Sequence, residues 1–361
     1  MVSPRKTQLL LVGALVAVLL MGSISDSQAQ TGKKIELIYA SYLAPTMGIS
    51  QNSVRYLKEL EKVSGGMITV KNFSYLSAMF GASDLIPACG KGLCHIAIYA
   101  PLYTSALLPM APLTEMPYCT EKLGADAYAK AMLYEKFEPY RKQYDDAGVK
   151  ILVFIPSSPA SMGVRARVNS LEECVGTRMR AYGMIAECLQ AAGITPIALS
   201  VSDVHTGMQR GTIDGWAGLP LAGLEGTGLL EVSKTIIDPG FGMYGSCGIA
   251  MTLSLYNQLP DNVKNWIEKM RTEYVREMAN FEFELDLKTA LVVKEKKLNI
   301  LVPSNDQKKA FQNKVNPEKS IWAKYIKQIE DKKLPGQEGF NIYMKYVKEW
   351  EPKSPWRNPF E

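Results

Sequence analysis

The sequence predicts an α/β fold, and three observations lead there. Short apolar or alternating segments recur between longer segments of helical period. The links between them are short, which favours a mainly parallel sheet over hairpins. Turns rich in small residues follow several strand segments, where an open α/β sheet meets its ligand. With 361 residues, 47% hydrophobic and 21% charged, the chain has ordinary globular composition and enough length for two domains or one large one.

The first 29 residues stand apart. Arg5 and Lys6 form a basic start, Leu9 to Met21 an apolar run of 13 residues, and Ser27-Gln28-Ala29 a small-x-small cleavage site. The run is short for a bilayer span. A secretory signal peptide cleaved near Ala29 is expected, giving a soluble product in the periplasm. No cysteine follows closely to carry a lipid anchor, and no later stretch is apolar enough to cross a membrane. The formal charge of +5 becomes +4 once Arg5, Lys6 and Asp26 are removed. No basic cluster is interleaved with aromatics, which excludes nucleic acid as a partner. A mild positive balance fits a small anionic ligand. Export permits disulfides among Cys89, Cys94, Cys119, Cys174, Cys188 and Cys247, but spacing fixes no pairing. Those spacings, with His95 and His205 as the only histidines, do not make a zinc site.

In order, Lys34 to Tyr39 alternates as a strand, and the small-residue turn after it offers Tyr42 as a ligand contact. Ser50 to Ser64 has helical period, with Val54, Leu57, Leu60 and Val63 on one face. Met67 to Phe73 is a second strand, Ser83 to Gly90 a short helix capped by Ser83 or Asp84, and Cys94 to Tyr99 a third strand. Ala125 to Asp146 is helical with its charges outward, broken or kinked at Pro139. Val149 to Ile155 is a fourth, buried strand. Ser157 to Ser161 is a small-residue linker suited to a hinge.

The stretch from Asn169 to Gly218 is the most informative. Val175 to Tyr182 reads as a strand carrying Arg178 and Arg180. Met184, Ile185, Cys188, Leu189 and Ala192 share a helix face that Gly193 ends. Ile194 to Leu199 is a strand, Ser202 or Asp203 caps a helix that stops at Gly211, and Thr212 to Trp216 is a further strand. Arg165, Arg167 and Arg180 lie close to strand ends. Guanidinium presents a rigid fork of donors that matches a carboxylate. Trp216 is placed to stack on a ligand or wall a pocket. Leu219 to Gly228 reads as a loop or second hinge crossing, and Ile236 to Tyr244 returns toward the first domain. Ser246 to Leu255 is a strand. A helix from near Pro260 to about Lys297 contains no further proline or glycine and would exceed roughly 50 Å. Asn299 to Pro303 is a last strand, Lys308 to Lys333 is broken at Pro317, and the tail from Trp350 is proline-rich.

One resemblance covers nearly the whole mature chain. G-x-x-x-R at Gly176 to Arg180, then Gly193-x-x-Pro196, then S-D-V-x-T-x-x-Q-x-G-x-x-D-G from Ser202 to Gly215 resembles the signature of solute-binding proteins of tripartite ATP-independent periplasmic (TRAP) transporters. The resemblance implies a two-lobed, type II-like periplasmic-binding-protein fold with hinge strands and a long helix bracing both lobes. It divides the chain into lobe I (30–160 and 245–285), lobe II (161–244 and 286–340) and a C-terminal tail (341–361). It implies no cofactor and no catalysis. The partners would be a small organic anion and the small and large membrane subunits, with the binding protein a monomer or dimer. Arg180 matches the family's carboxylate-binding arginine, and a second arginine falls near 165 to 167, with Arg165 preferred. Tyr99, Tyr103 and Tyr244 fall where relatives face their ligand. Gly218 stands where relatives often present an amide or acid, which implies a less hydroxylated ligand. Two alternatives stay open at this point. One is a binding protein of an ATP-driven importer or sensor. The other is an exported enzyme with a carboxylate substrate, for which no nucleophile or acid/base pair is evident.

Overall fold

A computed structural model describes residues 34–245 and 247–360. The expected signal peptide, residues 1–29, lies outside them, as does Ser246. The described strands are β1 (Ile35–Ser41), β2 (Ile68–Ser74), β3 (Ile96–Tyr99), β4 (Val149–Ile155), β5 (Ala160–Val164), β6 (Arg178–Arg180), β7 (Thr195–Ile197), β8 (Gly215–Pro220), β9 (Thr235–Ile237), β10 (Cys247–Thr252) and β11 (Asn299–Leu301). They form two sheets, in the orders β2-β1-β3-β10-β4 and β11-β9-β5-β8-β6-β7, and each sheet is the floor of one lobe.

The sheets are mixed rather than mainly parallel. β1 runs parallel to β2 and β3, and β6 runs parallel to β7 and β8. β10 is antiparallel to both β3 and β4, and β5 to both β8 and β9. The physical reason is shared. A parallel neighbour needs a crossover helix, and β5 and β10 are the strands by which the chain enters one sheet directly from the other, with no helix between.

The helix Gly48–Val63 buries Tyr56, Leu57 and Leu60, but Val54 and Val63 are only half-buried. The face is turned so that Asn52 and Ser53 are also inside. Asn52 donates to Glu282 Oε2 at 3.2 Å on the long C-terminal-half helix. The helices Ala125–Lys136 and Glu138–Asp146 meet at Phe137, with Pro139 in the first turn of the second. Their charges are not all outward. Asp126 and Lys130 are buried, and Lys130 Nζ lies 2.6 Å from the equally buried Glu115 Oε1.

The expected long helix is two segments, Asp261–Glu273 and Val275–Glu295, joined through Tyr274. Tyr274 keeps right-handed dihedrals, and its N–H reaches the Met270 carbonyl at 3.0 Å, so the axis carries on with one interruption. The second segment touches both lobes. Glu282 meets Asn52, and Thr289 Oγ1 accepts from the Gly223 N–H at 3.2 Å. A Cβ at Gly48 would run into the Glu282 carboxyl, so a larger residue here would force that buried side chain to shift.

Residues 341–350, expected in the tail, continue a helix Gly336–Trp350 that packs on Ala125–Lys136. Phe340, Tyr343, Val347 and Trp350 are its buried side. The final residues run across the back of the molecule. Ser354 holds the Leu123 carbonyl at 2.9 Å, Trp356 Nε1 donates to Asp286 Oδ2 at 3.2 Å, and Asn358 Nδ2 donates to Asp238 Oδ2 at 2.9 Å. Phe360 then packs on the second lobe's core. All six cysteines are free thiols. No helix among the described residues is long and apolar enough to cross a membrane.

Candidate functional site

The carboxyl ends of β1 and β3 on one lobe face those of β6 and β8 on the other. The turn after β1 carries Tyr42 and Met47, and the 3-10 turn Pro101–Tyr103 after β3 carries Leu102 and Tyr103. Arg180 ends β6, Tyr182 follows it, and Ala217 to Pro220 end β8. Tyr244 and Gly245 come from the return crossing before β10. Together these residues line a cavity of about 40 Å³ between the lobes.

Arg180 is 3% exposed. Its Nε donates to the Leu199 carbonyl at 3.0 Å, one Nη1 hydrogen to the Ala217 carbonyl at 3.4 Å, and one Nη2 hydrogen to Tyr103 Oη at 3.3 Å. No acid pairs with it among the described residues. Guanidinium has five N–H donors, so one on each terminal nitrogen has no acceptor in the described chain. Those two hydrogens belong to the pair of nitrogens a carboxylate grips end-on.

The walls are tyrosine and aliphatic. Tyr103 lies 4.9 Å, ring to ring, from Tyr182 across the lobe boundary, and 5.3 Å from Tyr42, edge-on. Tyr42 Oη lies 3.3 Å from Cys247 Sγ, and Tyr244 Oη donates to the Tyr182 carbonyl at 3.3 Å. Burial pushes the Tyr42, Tyr103 and Tyr244 phenols up from their ordinary values, so all three are neutral. Nearby Arg180 partly opposes this at Tyr103.

Five residues singled out from the sequence therefore meet at one cavity: Tyr42, Tyr103, Arg180, Gly218 and Tyr244. Gly218 has φ +80, a conformation that glycine adopts freely. Three do not meet it. Trp216 is fully buried on the other face of β8, its ring over Gly163 and its Nε1 donating to Ser233 Oγ at 3.2 Å. Strand alternation gives the reason, since Ala217 next to it takes the cavity face. Arg165 lies at the far end of the sheet and donates to the Met208 carbonyl at 3.1 Å. Because β5 is antiparallel to β8, its carboxyl end sits beside the start of β8, away from the cavity. Tyr99 points into the first core against Tyr144, 5.9 Å away.

Arg178, the competitor of Arg180, is held by Asp214 in a two-pronged pair, Nε at 3.1 Å and Nη2 at 3.0 Å. That hydrogen bond is the main cause holding the Asp214 carboxyl below its ordinary range. Tyr182 was missed, although its place two residues past Arg180 at the same strand end was a readable signal. Met47, Leu102 and Val201 carried none. Among the described residues, no group of three or more His, Cys, Asp or Glu is placed to hold a metal ion.

Two α/β lobes closing on a cavity with one buried cation define a two-lobed ligand-binding protein. Residues 40–328 match the bacterial extracellular solute-binding protein family 7, DctP, and the chain belongs to that family. Solved structures agree in fold. A TRAP solute-binding protein from Rhodoferax ferrireducens with copurified benzoate has TM-score 0.78 at 16% identity, over 88% of this chain and 98% of that one. One from Roseobacter denitrificans with bound β-D-glucuronate has TM-score 0.71 at 14% identity, over 86% of this chain and 99% of that one. By sequence, the ectoine-binding periplasmic protein of Halomonas elongata is 24% identical over 175 residues, 47% of this chain and 50% of the relative. The chain spans about half the length of the curated relatives it matches.

Proposed function

We propose that this protein is the extracytoplasmic solute-binding subunit of a TRAP transporter. It captures a small organic anion in the periplasm, with Arg180 as the carboxylate's partner, and presents it to a small and a large membrane subunit for uptake driven by an ion gradient. One observation carries the reading: a buried guanidinium without an acid partner among the described residues, with one donor to spare on each terminal nitrogen. A buried charge needs a counter-charge, and the ligand supplies it. Benzoate and β-D-glucuronate, seen in two proteins of this fold, both bear a carboxylate. Binding would draw the lobes together about the crossings near Ser157 to Ser161 and before β10, because only a ligand that favours the closed state shifts the equilibrium.

Arg180→Ala tests this. Titration calorimetry against a panel of organic acids should find a ligand for the wild type and at least a hundredfold loss in the variant, with the fold kept by circular dichroism. Undiminished affinity in a folded Arg180→Ala protein would remove Arg180 from the site.

A further inference from the structure

We propose that the cleft is built for a single-ring aromatic monocarboxylate, its carboxylate on Arg180 and its ring against Tyr103 and Tyr182. The proposal rests on Arg180 as the carboxylate's partner and adds what the remainder of the ligand must be.

Charge sets the first limit. Arg180 is the only charged side chain among the described residues lining the cavity. A second carboxylate, or an ammonium, would be buried there without a counter-ion, and an uncompensated buried charge is strongly unfavourable. Hydrogen bonding sets the second. Tyr103 Oη accepts from Arg180 and keeps its own proton for a carboxylate oxygen. Tyr244 Oη spends its proton on the Tyr182 carbonyl, and Tyr42 Oη is engaged with Cys247 Sγ. Among the other lining residues, Gly218 contributes no side chain, and the side chains of Leu219 and Pro220 contribute only carbon. A polyhydroxylated acid would bury several hydroxyls against a wall that offers few free side-chain partners, each unpaired one at a cost. Shape sets the third. Tyr103 and Tyr182 come from opposite lobes and touch ring to ring at 4.9 Å, with Tyr42 edge-on behind. Aromatic walls meeting at the lobe boundary favour an aromatic guest over an aliphatic one of equal bulk. The cavity between the lobes is small, about 40 Å³, so the lobes must part to admit a guest, and a single ring asks least of that opening.

The test is calorimetry on the exhaustively dialysed exported protein with benzoate, cyclohexanecarboxylate, succinate and D-glucuronate, repeated on Arg180→Ala and Tyr182→Leu. Benzoate should bind at least a hundredfold more tightly than succinate or glucuronate. Tyr182→Leu should weaken benzoate about five- to tenfold while changing cyclohexanecarboxylate less than threefold, since only the aromatic contact is lost. Succinate or glucuronate binding as tightly as benzoate, and lost in Arg180→Ala, would overturn the aromatic class and leave Arg180's role standing. No binding of any of the four acids would overturn both.

Discussion

Asp286→Asn should leave the protein's stability nearly unchanged at pH 4 and raise it by about 4 kcal/mol at pH 8. Asp286 is on the bracing helix and 1% exposed. It accepts from Ser158 Oγ at 2.6 Å and from Trp356 Nε1 at 3.2 Å. Burial raises its carboxyl to about 7, against an ordinary 3.8, in spite of those two donors. One helical turn earlier, Glu282 is also buried, and burial followed by repulsion from Asp286 raises it well above its ordinary value. Ser158 has a single proton for two carboxyls, so a protonated Glu282 supplies the other hydrogen bond.

The sign follows from proton counts. Between pH 4 and 7 the unfolded chain has released the Asp286 proton and the folded chain has not, so stability falls as pH rises. Above 7 the loss is complete. Each tenfold in acidity is worth about 1.4 kcal/mol, so a carboxyl lifted from 3.8 to about 7 costs folding about 4 kcal/mol at pH 8. An amide has the same shape and no proton to lose. The assay is chemical denaturation of both proteins from pH 4 to 8, reading the difference between them, which cancels the titrating groups that are not coupled to Asp286. A difference that stays flat across that range would refute the assignment of Asp286 as a carboxyl kept protonated by burial.

Two further substitutions separate structural from ligand-facing roles. Trp216→Ala should cost about 3–5 kcal/mol by denaturant unfolding, as for other large buried aromatics, while the folded fraction keeps its ligand affinity; a large affinity loss would return Trp216 to the cavity wall. Lys130→Met should cost about 3–5 kcal/mol, because it leaves Glu115 buried without its cation; a loss under 1 kcal/mol in urea titrations would show that Glu115 is already neutral.

Much of this was legible in the sequence, for identifiable reasons. Alternation and helix period located β1, β4 and the helix Gly183–Ala191 to within a few residues. Glycines marked helix ends where the backbone turns left-handed, as at Gly193 and Gly211. Strand direction was not legible, since period 2 is the same either way along the chain. Arg165 was preferred from the family resemblance near 165 to 167, and the strand β5 that carries it to the far end of the sheet was read in part as a linker. The face of Trp216 failed for a related reason, because a one-residue change of register turns a side chain to the opposite side. The helix Gly336–Trp350 was legible and overlooked, since its buried residues at 340, 343, 347 and 350 keep helical spacing. The buried acids of the bracing helix were not legible, because in period alone they look like a solvated face.

The position of β10 has a consequence for how the chain comes to be folded at all. It lies between β3 and β4, and everything from β5 to β9 is synthesised before it. The first sheet is therefore left with an open seam until residue 252 is available, while most of the second sheet is made from one contiguous stretch. A chain that emerges from a translocation pore N-terminus first would complete the later-encoded lobe's sheet, apart from β11, before the earlier-encoded one. Late closure of long sequence separations is slow.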